Sequence, residues 1–554
     1  MDLSRADYAS VYGPTVGDRV RLGDTDLLLE VERDDNDPGS EPLVGFAKTI
    51  REDQLASGRV APEEALDVVI TNVVMLDPIL GVRKTSIGIR AGRIVAVGRA
   101  GQPGSEHVDV PISSVTGIIP GEGLIATPGT IDSHVHLLGP QVVPAALSGG
   151  TTTLVAMGYG GAFDLGINPG GNVDRLLEAW RAVPINLVPL ARAATANEAM
   201  LDASLGWGAG GFKVHEDVGA YPEIIDATLR VADRHDVQLA LHMDGIGESA
   251  TLAETLAAID GRAVHCYHVE GCGGGPVDLL EVVGHANVLP SSTNPTVPYG
   301  AGAVAEHEDM IRTVHRLHPR FANDLEAARG RVRGWTMAAE SVLHDVGAIS
   351  IMSSDSMGMG RIGEVARRTW QLAHVMKRVS GPGGADNERI LRYLAKLTIN
   401  PALTHGIAHE VGSLEPGKLA DVVLWRSAFF GAKPQLVLKG GFAAWAPLGS
   451  GSGSTRIGEP LVYGSQFGSI GAAPAQLATV FVAEVGLGRV REIWPGPVEV
   501  VRGTRSIRKA DLVRNGATPS VVVDPEREQV LVDGQPALLE PAAELPLNRA
   551  YFLA

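Results

Sequence analysis

Two cysteines in 554 residues, Cys266 and Cys272, are too few to staple a fold with disulfides. Aromatic residues are scarce as well, at 5%. No apolar run approaches the roughly 20 residues of a membrane-spanning helix. The opening stretch, Met-Asp-Leu-Ser-Arg-Ala-Asp, lacks the basic-then-apolar layout of a signal peptide. Basic charge is in deficit: 47 Lys and Arg against 64 Asp and Glu give a formal net charge of -17. That balance argues against a nucleic-acid or anionic-membrane partner. Internal repeats and low-complexity tracts are absent too. These absences leave a cytoplasmic globular protein, too long for one compact core. Its 68 glycines suit many tight turns between strands and helices.

Along the chain the texture changes three times. Residues 1–126 are polar at first, then β-rich from Leu66 to Val74, Ser86 to Arg90 and Arg93 to Gly98, which predicts part of a β-sandwich. From 127 to 403, eight strand-like runs alternate with helical patterns: 129–136, 151–157, 185–192, 210–216, 237–243, 262–269, 287–292 and 348–355. Amphipathic spacers such as Val173–Val183, Tyr221–His235 and Leu252–Ile259 separate them. Eight such units predict a (β/α)8 barrel of the TIM type, an α/β fold. A doubly wound sheet is the alternative, but no glycine-rich dinucleotide fingerprint follows the first strand. The long spacer at about 293–347 carries helical patterns at 303–317 and 327–345 and reads as a helical lid. Residues 404–445 return to β texture and complete the sandwich, and 446–554 form a mixed C-terminal segment.

Chemistry in such a barrel gathers at the C-terminal strand ends. His134 and His136 stand two apart at the end of the first, so both side chains share a face. A lone His-x-His is usually structural. Here the fourth strand adds Lys213 and His215, the fifth His242, the sixth His268 and the eighth Asp355. His265 is out of phase with His268 and reads as structural. Cys266 shares the parity of His268 and reads as facing the barrel interior.

Four histidines and a carboxylate suit a borderline divalent ion such as Zn, Ni, Co or Mn. They exceed what one catalytic ion with an open position takes, so two ions are indicated. Lys213 is a poor ligand as an ammonium. Carbamylated by CO2, it would offer two anionic oxygens that bridge both ions. The plain alternative is an ion pair with Glu216 or Asp217. A bound divalent ion lowers the pKa of water from about 15.7 to near 7, and a second polarises a carbonyl. Hydrolysis of an amide-like C–N bond needs both, plus an acid for the leaving nitrogen. His215 can serve the carbonyl oxygen, and His315, on the lid, can be the acid.

Several longer stretches carry a resemblance. Tyr12-Gly-Pro-Thr-Val-Gly-Asp-Arg-Val-Arg-Leu22, Gly211-Phe-Lys-Val-His-Glu-Asp217, Pro290-Ser-Ser-Thr-Asn-Pro295, Ser353-Ser-Asp355 with Met359-Gly-Arg361, and Thr398-Ile-Asn-Pro-Ala402 resemble the urease alpha (catalytic) subunits of the amidohydrolase superfamily. The resemblance spans nearly the whole chain. It implies two nickel ions, with zinc as the lesser alternative, bridged by carbamylated Lys213. One ion would take His242 and His268, the other His134, His136 and Asp355. His215 and Gly358 would meet urea, and His315 would be the acid, held by Asp217 and Arg331. Separate beta and gamma subunits, a trimer of heterotrimers and nickel-insertion accessory proteins are implied as partners. The chain departs from the family pattern on the lid. Val314 precedes His315 where the family carries cysteine, and Gly334 replaces a second arginine. The loop from Gly271 to Gly275 runs into Pro276 without the family's histidine. These departures keep open an amidohydrolase for another small or cyclic amide, or a non-catalytic urease-like subunit.

Overall fold

The computed structural model describes residues 3–43, 60–102, 107–158, 170–215, 219–243, 250–271, 275–381, 383–448 and 462–549. Its centre is a parallel barrel of eight strands: β1 (Thr130–His136), β2 (Thr151–Met157), β3 (Asn186–Arg192), β4 (Gly211–Val214), β5 (Gln238–Leu241), β6 (Val264–Cys266), β7 (Val288–Thr293) and β8 (Ile351–Ser353). Each pairs in parallel with the next. Strands such as Thr-Thr-Thr-Leu-Val-Ala-Met in β2 are buried along their whole length. That explains why they read as near-continuous β-branched and apolar runs without a polar alternation.

The barrel closes just beyond the regular strands. The Asp355 amide donates to the His134 carbonyl at 2.9 Å, and the His136 amide donates to the Ser356 carbonyl at 3.0 Å. Val135 and Ser356 form a parallel bridge. The first and eighth strands therefore meet at His134, His136 and Asp355, the residues that the sequence singles out.

Helices cover the outside at Val142–Ser148, Gly170–Trp180, Glu198–Gly206, Pro222–His235 and Leu252–Ile259. The last begins at a capping box: the Thr251 hydroxyl accepts from the Glu254 amide, and the Glu254 carboxylate accepts from the Thr251 amide. After β7 come α1 (Ala303–Val314), α2 (Ala322–Arg331) and α3 (Gly334–Asp345). The single helical pattern expected over 327–345 is thus two helices, parted at Val332 and Arg333, both extended. Gly330 and Gly334 flank the β-branched Val332 there, a stretch of low helix propensity. α3 is buried from Thr336 to Ser341 and from Leu343 to Asp345, with Ala339 and Leu343 in the apolar cluster that includes the barrel strands, whereas Ala328 is the buried residue of α2.

Segments before and after the barrel share one mixed sheet of ten strands. Leu124–Pro128 pairs antiparallel with Val422–Arg426 and parallel with Val68–Asp77. Val480–Val482, from the C-terminal segment, joins the outside of β3 through Leu187 and Val480. Among the described residues, no helix is long and apolar enough to cross a membrane.

Candidate metal centre

Register places Lys213. It is aligned with Ala240 and His265 on the neighbouring strands, while Val214 is aligned with Leu241 and Cys266. Lys213 Nζ lies 2.7 Å from His134 Nε2, so its row faces the barrel axis. The Cys266 row must face the opposite way, toward the helices, and its thiol is buried in an apolar cluster. The parity expected for Cys266 therefore fails. β6 ends at Cys266, and His268 beyond it has a left-handed backbone (φ 31°) that turns its ring back to the axis.

The candidate ligands converge within a few ångströms. His134 Nε2 and His136 Nε2 each stand 3.2 Å from Asp355 Oδ1. His268 Nε2 and His242 Nδ1 are 2.9 Å apart. His134, His268 and Asp355 offer ligand atoms all within 4.8 Å of one another. Asp355 too has a left-handed backbone (φ 59°). Such backbones cost free energy in non-glycine residues and gather at functional sites.

The charge states suit a cation. Burial holds the imidazoles of His134, His136, His215 and His242 below their ordinary range, reinforced by neighbouring positive groups such as Lys213. They are neutral at pH 7 and can present lone pairs. Burial pushes the Asp355 carboxyl up, but the hydrogen bond from His136 and the positive charge of Lys213 outweigh it and bring it to about 2. Neutral imidazoles around one ionised carboxylate are a donor set that fits borderline divalent ions.

The substrate-facing candidates are close by. His215 has its ring centroid 4.2 Å from that of His242 and 6.2 Å from that of His136. A Cβ on Gly358 would fall 2.4 Å from Asp355 Oδ1 and 3.2 Å from His136 Cδ2, so no side chain fits there. The lid residues are placed differently. His315 caps the end of α1, half-buried, with Nδ1 3.1 Å from the Ile311 carbonyl of its own helix. Arg331 ends α2, and its charge is felt at His242. Val314 packs with Ile311, Ala328 and Met359. Gly334 lies against Tyr299, whose hydroxyl a Cβ would meet at 2.7 Å. Asp217, Glu216 and Cys272 lie outside the described residues.

Three supporting residues escaped the sequence reading. Tyr267 stacks on His134 with centroids 3.7 Å apart, and its hydroxyl donates to the Ser133 carbonyl at 2.6 Å. Asp132 accepts from the amides of His134 and Ser354, while burial raises its carboxyl to about 7. Arg192, on β3, is buried and depresses His136 and His215. Asp132 shares the parity of His134 and was findable. Tyr267 is out of phase with His268 and gave no signal.

Comparison with known proteins agrees with this geometry. Residues 125–453 match the amidohydrolase family, and residues 1–119 match the urease alpha-subunit N-terminal domain. Urease subunit alpha 1 of Streptomyces avermitilis is 50% identical over 552 residues, covering 99% of both chains. Urease subunit alpha of Natronomonas pharaonis is 45% identical over 567 residues, covering 100% of this chain and 99% of that one. A dihydropyrimidinase structure from Brevibacillus agri superposes with TM-score 0.50 at 15% identity, over 68% of this chain and 94% of that chain, which speaks for the fold alone. The chain belongs to the amidohydrolase family and, within it, to the urease alpha subunits.

Proposed function

We propose that this protein hydrolyses urea to ammonia and carbamate in the cytoplasm, as the catalytic subunit of a urease. The observation that carries the reading is the convergence of His134, His136, Lys213, His242, His268 and Asp355 on the barrel axis, where side chains from the first, fourth, fifth, sixth and eighth strands meet. In this assignment His242 and His268 would hold one nickel ion, His134, His136 and Asp355 would hold another, and Lys213, once carbamylated, would be shared between them. Zinc is the lesser alternative. When bound, such a pair acidifies water and polarises a carbonyl.

The chain's own residues do the rest. Burial keeps His215 neutral, so one ring N–H can donate to the carbonyl oxygen of urea. Gly358, where a Cβ would strike Asp355, lets the backbone come close to Asp355 and His136, and in this reading that backbone meets urea. His315 delivers a proton to the leaving nitrogen as the C–N bond breaks, held in place by Arg331 and Asp217. Beta and gamma subunits complete the enzyme as a trimer of heterotrimers, with accessory proteins inserting the nickel. Val314 and Gly334 favour a second reading, in which the altered lid admits another small or cyclic amide. Turnover of a panel of amides, read as ammonia release for urea and linear amides and as ring-opened product for cyclic ones, with co-expressed partner subunits and nickel-insertion proteins, tests both. Turnover of urea above all others is expected; turnover of a cyclic amide alone would replace the first reading by the second.

A further inference from the structure

We infer that Glu306 is a positioning residue for the lid: its carboxylate anchors the first turn of α1 and so sets where His315 stands at the other end. This rests on the assignment of His315 as the acid.

Three parts of the fold meet at Glu306. Arg368 Nη2 donates to both of its oxygens, at 2.9 and 3.1 Å, and Arg361 Nη1 donates to Oε1 at 2.6 Å. Arg368 belongs to the long helix Val365–Ser380. Its Nη1 also donates to the carbonyl of Asn294, directly after β7, at 3.1 Å. Arg361 closes the loop that begins at Asp355. The Asn294 side chain fixes it by accepting from the Arg361 amide and donating to the Arg361 carbonyl. Charge-assisted bonds are roughly twice as strong as neutral ones. The Arg368 side chain is 13% exposed against 49% for Arg361, so the Arg368 arm is the less screened and the stronger.

The loop from Asp355 to Arg361 holds α1 at both ends. Arg361 grips the first turn through Glu306, and Met359 packs with Ile311 beside Val314 near the last. Just before Met359, Gly358 lies against Asp355 and His136. His315 is nine residues beyond Glu306, or about 13–14 Å along a helix. Freeing the base of α1 therefore displaces the acid while leaving the candidate ligands untouched.

Glu306→Gln in the metal-loaded protein tests this. We expect kcat/KM for urea to fall on the order of 10- to 100-fold, with kcat and KM both moving. Metal content should stay at the wild-type value. Trypsin should cut the exposed turn at Arg316 and Arg320 on the order of tenfold faster, because a loosened lid opens more often. Glu306→Asp should recover most of both effects. Arg361→Gln should give a smaller change in the same direction, and it decides the matter if Glu306→Gln does not fold. Proteolysis is read whatever the substrate. A wild type inactive on urea, with faster cleavage in the variant, would therefore sink the urea reading and sustain the anchor. Unchanged cleavage, a fall in melting temperature alone, or loss of metal together with activity would overturn the anchor.

Discussion

Tyr267 lies flat on His134, with ring centroids 3.7 Å apart and planes within 7° of parallel. Lys213 Nζ sits 4.4 Å from the centroid of the same Tyr267 ring. A stacked ring restricts how the imidazole can rotate, and residues that orient a ligand typically govern 10–100-fold in metal affinity. Tyr267→Phe should therefore hold metal nearly as well as the wild type. Tyr267→Leu should release it roughly 10–100-fold more readily to a chelator. Equal retention in Tyr267→Leu and wild type would remove Tyr267 from the site.

The two histidines outside the ligand set should separate kinetically. His315→Ala should lower kcat by a factor on the order of 10² to 10⁴ with metal content unchanged, as for loss of a general acid. His215→Ala should act mainly on KM if it holds the carbonyl oxygen. An unaltered kcat in His315→Ala would place the acid elsewhere.

Lys509 gives the stability a pH dependence away from the site. Its ammonium is buried, donates to the Val283 carbonyl at 2.6 Å, and is pushed down by burial to about 7 from 10.5. Between those values the unfolded chain binds the extra proton, so this contribution rises with pH from about 7 to 10.5 and is lost as pH falls. Lys509→Met removes the term. The melting temperature of the variant minus that of the wild type should fall by roughly 1–4 °C between pH 7 and pH 10. A difference independent of pH would show that Lys509 stays charged when folded.

Val314, at the end of α1, offers no thiol. Cys266 is buried, and burial drives its thiol up to about 12, so it should be inert to bulky reagents. The wild type should resist such reagents. Val314→Cys should become sensitive, with modest shifts in kcat or KM and unchanged metal content. Rapid inactivation of the wild type, prevented by a ligand of the metal site, would point to Cys272.

Much of this was legible because period and register agree over the early barrel. β2 occupies Thr151–Met157, the span of its sequence run; the helix Leu252–Ile259 likewise follows its amphipathic pattern. Alternation also assigned Lys213 to the axis, where its contact with His134 puts it. It failed once the chain left regular geometry. β6 stops at Cys266 and turns left-handed at His268, so parity carried past that point misassigned Cys266 and hid Tyr267. β1 also shifts register between Asp132 and Val135. The break at Val332 was missed because helical periodicity continues on both sides of a two-residue extended step. The anchor at Glu306 joins residues from four separate segments, and no local pattern announces such a meeting.

Metal content of the intact protein is the most direct measurement. Wild-type protein from cells supplied with nickel, accessory proteins and partner subunits should hold about two ions per chain by elemental analysis, the number that its donor set calls for. Lys213→Ala should lose most of them and recover part when small carboxylates replace the bridge. Folded wild-type protein with no bound metal under those conditions would contradict the dinuclear centre on which the proposed urea hydrolysis rests.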